Sequence, residues 1–260
     1  MQKQIGDVEV TLDDYVGLVE IQRPPHNFFD AELIRNLVEA FALLDETDQC
    51  RAIVLASQGK SFCAGANFSS KQNVLDKKTD EGRNPLYVEA VKLFSNKKPI
   101  IGAIHGSAVG GGLGVALVPD FRVTCAEAKF AANFVKLGFH PGFGLTYTLP
   151  RLIGQQKASL LFYTGRRIKG DEAVEWGLAD VLTTQDNVRE EAIKLAREIA
   201  ENAPLAVVSV RATMRQGLAE KVQAQTDHEG KEQSWQRQTE DFKEGVRAVS
   251  ERRPGNFVGR

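Results

Sequence analysis

Short apolar runs alternate with amphipathic stretches through most of the chain, and charged residues crowd its last segment. Residues 8–12 and 15–21, rich in β-branched and apolar side chains around Asp13-Asp14, predict a strand pair joined by a short turn. Asp30 then predicts a helix cap, because Leu33, Ile34, Leu37, Val38, Phe41 and Leu44 recur behind it at helical spacing. Residues 51–56 read as a short buried strand, 59–67 as a small-residue loop, and 69–84 as a polar stretch. Pro85 opens a helix running to Phe94. Residues 99–109 form a buried strand that runs into Gly110-Gly111-Gly112 and then an apolar helix. A strand at 121–124 and a short segment at 129–137 lead to a loop at 138–144. This alternation implies right-handed crossovers and mainly parallel pairing, an α/β class.

From Gly154 the pattern turns helical. Leu160, Phe162 and Tyr163 precede a stop at Gly165, Asp171 starts a turn of helix ending near Trp176-Gly177, and 179–182 is a brief strand. Helices follow at 187–201 and 204–217, the second opened by Pro204. Residues 220–250 are charged with few apolar anchors. A helix of that kind needs support from a partner subunit or from the core.

Composition narrows the function classes. A chain of 260 residues, 42% hydrophobic and 26% charged, suits one large α/β domain or a domain with an appendage. A net charge of -1 gives no electrostatic case for nucleic acid or an anionic membrane. Cys50, Cys63 and Cys125 are an odd number without zinc spacing and read as reduced thiols; no metal site is expected. No apolar run approaches the roughly 18 to 20 residues that span a bilayer, and the polar start lacks a signal-peptide pattern. The expected setting is the cytoplasm.

The glycine junction carries the clearest chemistry. A strand ending in three glycines brings unobstructed amides to a helix N-terminus, where the first N–H groups lack intrahelical partners and favour negative charge. Such a site can hold an oxyanion. Close packing alone explains one such glycine, but a fourth at Gly114, inside the helix, points to space kept clear. No Lys-Ser/Thr follows, and the dinucleotide spacing is missing, so nucleotide phosphates are rejected as ligand.

Taken in order, Ser61-Phe-Cys-Ala-Gly-Ala-Asn67, His105-Gly-Ser-Ala-Val-Gly-Gly-Gly112, Asp120, Pro141-Gly-Phe-Gly144 and the segment from Thr164 to Ala179 resemble the crotonase superfamily, the enoyl-CoA hydratase/isomerase group. The resemblance covers nearly the whole chain. It implies a crotonase-like spiral of ββα units with a C-terminal helical trimerisation region, divided at 1–200 and 201–260, and a homotrimer or dimer of trimers. It also implies an acyl-CoA thioester as substrate, with coenzyme A as part of that substrate and no tightly bound cofactor. By position, the amides of Ala66 and Gly111 would bind the thioester oxygen. Ala64, Asn67, Phe68 and Lys60 would border the coenzyme A moiety, with Arg252 or Arg253 as further phosphate candidates.

The chain departs from that pattern at the reacting carbons. The two glutamates that handle water and proton in the family's hydratases fall, by position, on Gly114 and Phe134, and neither transfers a proton. His140 is the first substitute, because its loop borders the acyl pocket in this family and imidazole titrates near neutrality. Tyr87, Gly114, Phe134 and Phe143 are expected around the acyl group. Tyr147, Asn133, Cys63, Ser107, His26, His105 and Asp120 read as packing, hydrogen-bonding or structural groups. Two functions stay open: enolate chemistry by isomerase, decarboxylase or carbon–carbon lyase routes, or a catalytically inactive acyl-CoA binder.

Overall fold

The computed structural model describes residues 1–67 and 84–260, and the expected Phe68 contact lies outside them. Strands β1 (Gln2–Ile5), β2 (Val8–Asp13) and β3 (Val16–Ile21) form an antiparallel meander. The predicted turn between β2 and β3 is tight, with Asp14 and Tyr15 both at positive φ. The sheet continues in parallel through β4 (Ala52–Ser57), β6 (Ile100–Ile104), β8 (Phe121–Cys125) and β11 (Val181–Thr183), seven strands in all. A second sheet of four strands has the order β10 (Arg167–Lys169), β9 (Lys129–Ala131), β7 (Ser107–Val109), β5 (Ser61–Cys63).

Two sequence expectations change here. Residues 61–63 are a strand rather than loop, and 99–109 is two strands, because the chain leaves one sheet at Ile104 and enters the other at Ser107. Both sheets are then fed in turn: β4 to β5, β6 to β7, β8 to β9. Helix α2 (Pro85–Lys92) or α3 (Gly111–Ala116) follows the second strand of the first two pairs, which is the ββα spiral the resemblance implies.

Helix α1 (Ala31–Asp45) starts where expected, with the Asp30 carboxylate accepting from Leu33 N at 2.8 Å. Its six buried residues, Leu33, Ile34, Leu37, Ala40, Phe41 and Leu44, join the core over the large sheet. Helix α4 (Leu145–Thr164) is interrupted at Gly154 and stops at Gly165 in the left-handed region. Helices α5 (Gly170–Glu175) and α6 (Val188–Ala200) complete the spiral, and α6 packs over β4, β6 and β8.

The C-terminal region divides in two ways. Helix α7 (Pro204–Met214) buries only Arg211 and leaves Leu205, Val210 and Met214 largely exposed. The charged segment is two helices, α8 (Leu218–Gln236) and α9 (Glu240–Glu251), with Thr239 capping the second through Phe242 N. Helix α8 lies across α2 and α4 and buries Val222, Thr226, Glu229 and Gln233, so its support comes from the core. No described helix is long and apolar enough to cross a membrane.

Candidate functional site

Parallel pairing of β5 with β7 sets Ser61 beside Ser107 and Cys63 beside Ala108, so both strands run out at the same end. From that end β5 enters Ala64-Gly65-Ala66 and β7 enters the glycine triplet. Backbone bonds fix the first loop: Ala64 N donates to His26 O at 3.0 Å, Phe29 N donates to Gly65 O at 3.0 Å, and Ala66 bridges Phe29. Below it, the wholly buried Asn27 donates to Gln58 O at 2.6 Å and to Ser61 O at 2.7 Å.

The second loop closes against the first. Gly110, at φ 58°, donates its N–H to Ala131 O at 2.8 Å and turns the chain into α3. A β-carbon on Gly112 would stand 2.0 Å from Cys63 O and 3.0 Å from Gly65 N, so only glycine lets α3 come this close. The amides of Ala66 and Gly111 therefore flank one space. Neither donates to another group among the described residues.

That space is a cavity of about 810 Å³ that both amides line. Its walls are apolar at Phe29, Leu86, Phe134, Leu137, Phe139 and Val246, with Asn133 and Tyr87 among the polar groups. Arg167 and Arg252 also line it, and no aspartate or glutamate does among the described residues. The Asn133 Oδ1 and the tip of the Phe134 ring lie 3.6 and 3.9 Å from where a β-carbon on Gly110 would be. Phe134 thus presents a hydrocarbon edge beside the glycine turn.

The sequence-derived residues divide sharply on this cavity. Ala64, Ala66, Asn67, Gly111, Tyr87 and Phe134 line it together. Lys60, Gly114 and Phe143 do not. Gly114 is not facing open space, contrary to expectation: a β-carbon there would meet the Phe143 ring at 2.5 Å. Phe143 is itself buried against Phe29, ring centroids 5.7 Å apart.

His140 does not join the amide pair either. It lines a separate cavity of about 620 Å³, across the 138–144 loop, with Pro141, Thr146 and Trp235. Its Nδ1 lies 2.8 Å from Pro141 O, its backbone N donates to Gln236 Oε1, and its ring meets His228 edge-on. A base must reach the reacting carbon within hydrogen-bonding distance, and this ring is committed to the far side of the loop.

Other titratable groups near the cavity, His26 aside, are committed elsewhere. Tyr87 donates to Gln233 Oε1 at 2.8 Å; burial, and then Glu229, push its phenol above the usual range. Burial pushes the Cys63 thiol up to about 12, so it stays neutral in the core, as expected for an unactivated cysteine. His105 bonds Gly59 O at 2.9 Å, whereas His26, read from sequence as structural, lines the cavity with Ser61 and Ser107, its Nδ1 3.5 Å from Ser61 Oγ. Arg253 is taken up by Glu244 and Glu251, which leaves Arg252 as the C-terminal cation on the cavity.

Two residues escaped the sequence reading. Arg167 reaches the cavity because β10 pairs antiparallel with β9, a relation no local pattern reveals. Glu229, wholly buried, accepts from Gly144 N at 2.7 Å and from Thr146 N and Oγ1 at 2.9 and 2.6 Å. Its signal was available: Val222, Thr226, Glu229 and Gln233 fall on one helical face of an otherwise polar segment.

Comparison with known proteins places this geometry. Residues 12–260 match the family model described as Enoyl-CoA hydratase/isomerase. The chain is 32% identical over 249 residues to YngF of Bacillus subtilis (strain 168), covering 95% of this chain and 96% of that one. It is 29% identical over 254 residues to the 1,2-epoxyphenylacetyl-CoA isomerase of Escherichia coli (strain K12), covering 94% and 95%. The solved enoyl-CoA hydratase/isomerase of Pseudoalteromonas atlantica T6c superposes with a TM-score of 0.86 at 29% identity, covering 97% of this chain and all of that one.

Proposed function

The chain belongs to the enoyl-CoA hydratase/isomerase family, and on that premise we propose that it binds an acyl-CoA thioester and stabilises its enolate between the amides of Ala66 and Gly111. One observation carries the reading: two uncommitted amides flank a cavity that no carboxylate lines among the described residues. Fixed donors stabilise an enolate oxygen more than a neutral carbonyl, and that difference is what accelerates a reaction. Two-glutamate hydration does not fit, since Gly114 and Phe134 occupy the positions it needs.

Among enolate-forming routes, decarboxylation suits these walls best because it asks for no base. In a malonyl-type thioester the bond from the α-carbon to its carboxylate breaks and carbon dioxide leaves. The electron pair moves into the bond between the α-carbon and the carbonyl, and the charge arrives on the thioester oxygen, facing both amides. Water then returns a proton to the α-carbon. Asn133 lines the cavity as a hydrogen-bonding group but cannot act as a base. Isomerase or carbon–carbon lyase chemistry requires a proton carrier at the cavity, for which His26 is the imidazole in its lining.

The cations Arg167 and Arg252 are the proposed partners of the coenzyme A phosphates, replacing Lys60 in that role. Coenzyme A enters only as part of the substrate. The exposed apolar residues of α7, beside a cleft of about 810 Å³ lined by Phe121, Leu152 and Val210, support a homotrimer or dimer of trimers built on the 201–260 region. A cytoplasmic setting belongs to the same reading.

The alternative is a catalytically inactive acyl-CoA binder, favoured by the same loss of both glutamates. Incubation with a malonyl-type CoA, crotonyl-CoA and a 3-enoyl-CoA separates them. Carbon dioxide release from the first, without hydration of crotonyl-CoA, is the expected result. Hydration of crotonyl-CoA would overturn the reading, and thioester binding without any turnover would favour the binder.

A further inference from the structure

The cavity of about 620 Å³ beside His140 has no part in the enolate chemistry. Its volume is in the range of small-molecule sites, roughly 300 to 1,000 Å³. Phe139 lines both this cavity and the amide cavity, and it stands edge-on between Phe134 and Phe242, so a held ring partitions the two. Tyr163 and Trp235, both exposed, stand where the second cavity meets solvent.

The lining selects for one kind of occupant. The rings of Phe139, Phe162, Tyr163 and Trp235, with Pro141 and Pro150, supply flat apolar walls against which an aromatic ring packs face-on or by its edge. The charged side chains of the lining are already engaged: Asp241 accepts from Val258 N at 2.6 Å and Gly259 N at 2.9 Å, and Arg260 Nε donates to Glu240 at 3.2 Å. A charged ligand would lose its hydration there without gaining a free counter-charge. An uncharged ligand avoids that cost.

His140 supplies the free polar atom. Its Nδ1 lies 2.8 Å from Pro141 O, and a carbonyl oxygen can only accept, so Nδ1 carries the proton. In the neutral imidazole Nε2 is then an acceptor, and it has no partner among the described residues. His228 meets the ring only edge-on, with centroids 5.9 Å apart. The backbone beneath is fixed from both sides, since His140 N donates to Gln236 Oε1 and Gln233 Nε2 donates to His140 O.

We propose that this cavity is a second ligand site, for an uncharged aromatic ring bearing a hydroxyl or ring N–H donor, which gives its hydrogen bond to His140 Nε2 while the ring packs among Phe162, Tyr163 and Trp235. A phenol is the simplest such ligand. The inference is independent of the thioester reading, because neither Ala66 nor Gly111 lines this cavity.

The chain has two tryptophans, so Trp176→Phe leaves Trp235, in the cavity wall, as the reporter. 4-Ethylphenol, its methyl ether 4-ethylanisole and 4-ethylbenzoate are titrated into that full-length variant at pH 8, above the ordinary imidazole range. Calorimetry gives the affinity, and Trp235 fluorescence, excited beyond the phenol band, gives the location. 4-Ethylphenol should bind saturably, with a dissociation constant below about 1 mM, and should change the Trp235 signal. The ether and the benzoate should each bind about fivefold more weakly or worse. His140→Phe, a ring without the acceptor, should weaken 4-ethylphenol by about the same factor and leave the ether unaffected. Circular dichroism establishes that each variant is folded; should Trp176→Phe fail to fold, calorimetry on wild type and His140→Phe decides. No saturable binding at millimolar concentration, equal affinity for the ether, or binding that His140→Phe leaves unchanged, as for a phenol lodged in the amide cavity, overturns the site.

Discussion

The ring of Phe143 stands where any side chain on Gly114 would have to begin, 2.5 Å from the position of its β-carbon. The position proposed to stand in place of a hydratase glutamate therefore has no room for a side chain. Gly114→Glu should lower stability by about 1 to 3 kcal/mol through overpacking and should give no hydration of crotonyl-CoA. Adding Phe143→Gly should recover part of that loss, since glycine also relieves the positive φ of that residue. Denaturant unfolding of the two single variants and the double variant measures the coupling; additive effects would contradict the contact.

Gly112 makes the oxyanion pair testable, although neither donor is a side chain. Its missing β-carbon lets Cys63 O approach, and Gly112→Ala would force α3 away from the Ala64-Gly65-Ala66 loop. Losing one donor at such a site typically costs a factor of about 100 to 1,000 in kcat. Turnover of whichever thioester the wild type converts should fall by that order, with the fold retained by circular dichroism. Unchanged kcat would separate the glycine triplet from the chemistry.

Local chemistry made part of this site legible. The Asp30 cap, the Gly165 stop and the glycine turn each follow from residues adjacent in sequence. Strand β5 was hidden because Ser61-Phe-Cys63 extends only through pairing with β7. The split between β6 and β7 was hidden because burial looks alike in either sheet. His140 and Phe143 share one loop, yet their rings lie on different sides of it. A sequence places both near the pocket but does not say which way each points.

Glu229 should leave a signature in the pH dependence of stability. Burial raises its carboxyl to about 7, against the three hydrogen bonds that favour ionisation. Between the usual carboxylate range and pH 7 the folded state then holds a proton that the unfolded state has lost. The stabilisation is thus full at low pH and is lost as pH rises through about 7. Thermal melts from pH 5 to 8 should show this decline, on the order of 3 kcal/mol. Glu229→Gln should abolish the slope and cost about 1 to 3 kcal/mol, since an amide nitrogen facing Gly144 N–H leaves that donor unpaired. A slope that persists in the variant would assign it to another group.

Asp120 ties the exposed helix α7 to the core. Its Oδ2 accepts from Ile100 N and Arg211 Nε, and its Oδ1 from Arg215 Nη1, each at 2.8 Å. Burial alone would raise this carboxyl, but Arg211 and Arg215 beside it hold it below the usual carboxylate range. Its contribution is therefore present above the ordinary carboxylate pKa and disappears only as pH falls below it. Asp120→Asn leaves two arginines in the core without their counter-charge, a change that costs about 3 to 5 kcal/mol at buried pairs. Because α7 offers Leu205, Val210 and Met214 to solvent, loosening its anchor should also disturb any assembly built on that face. Light scattering after size-exclusion chromatography, beside a thermal melt at pH 7, reads both effects. A variant that melts like wild type would show that α7 is held by its apolar contacts instead.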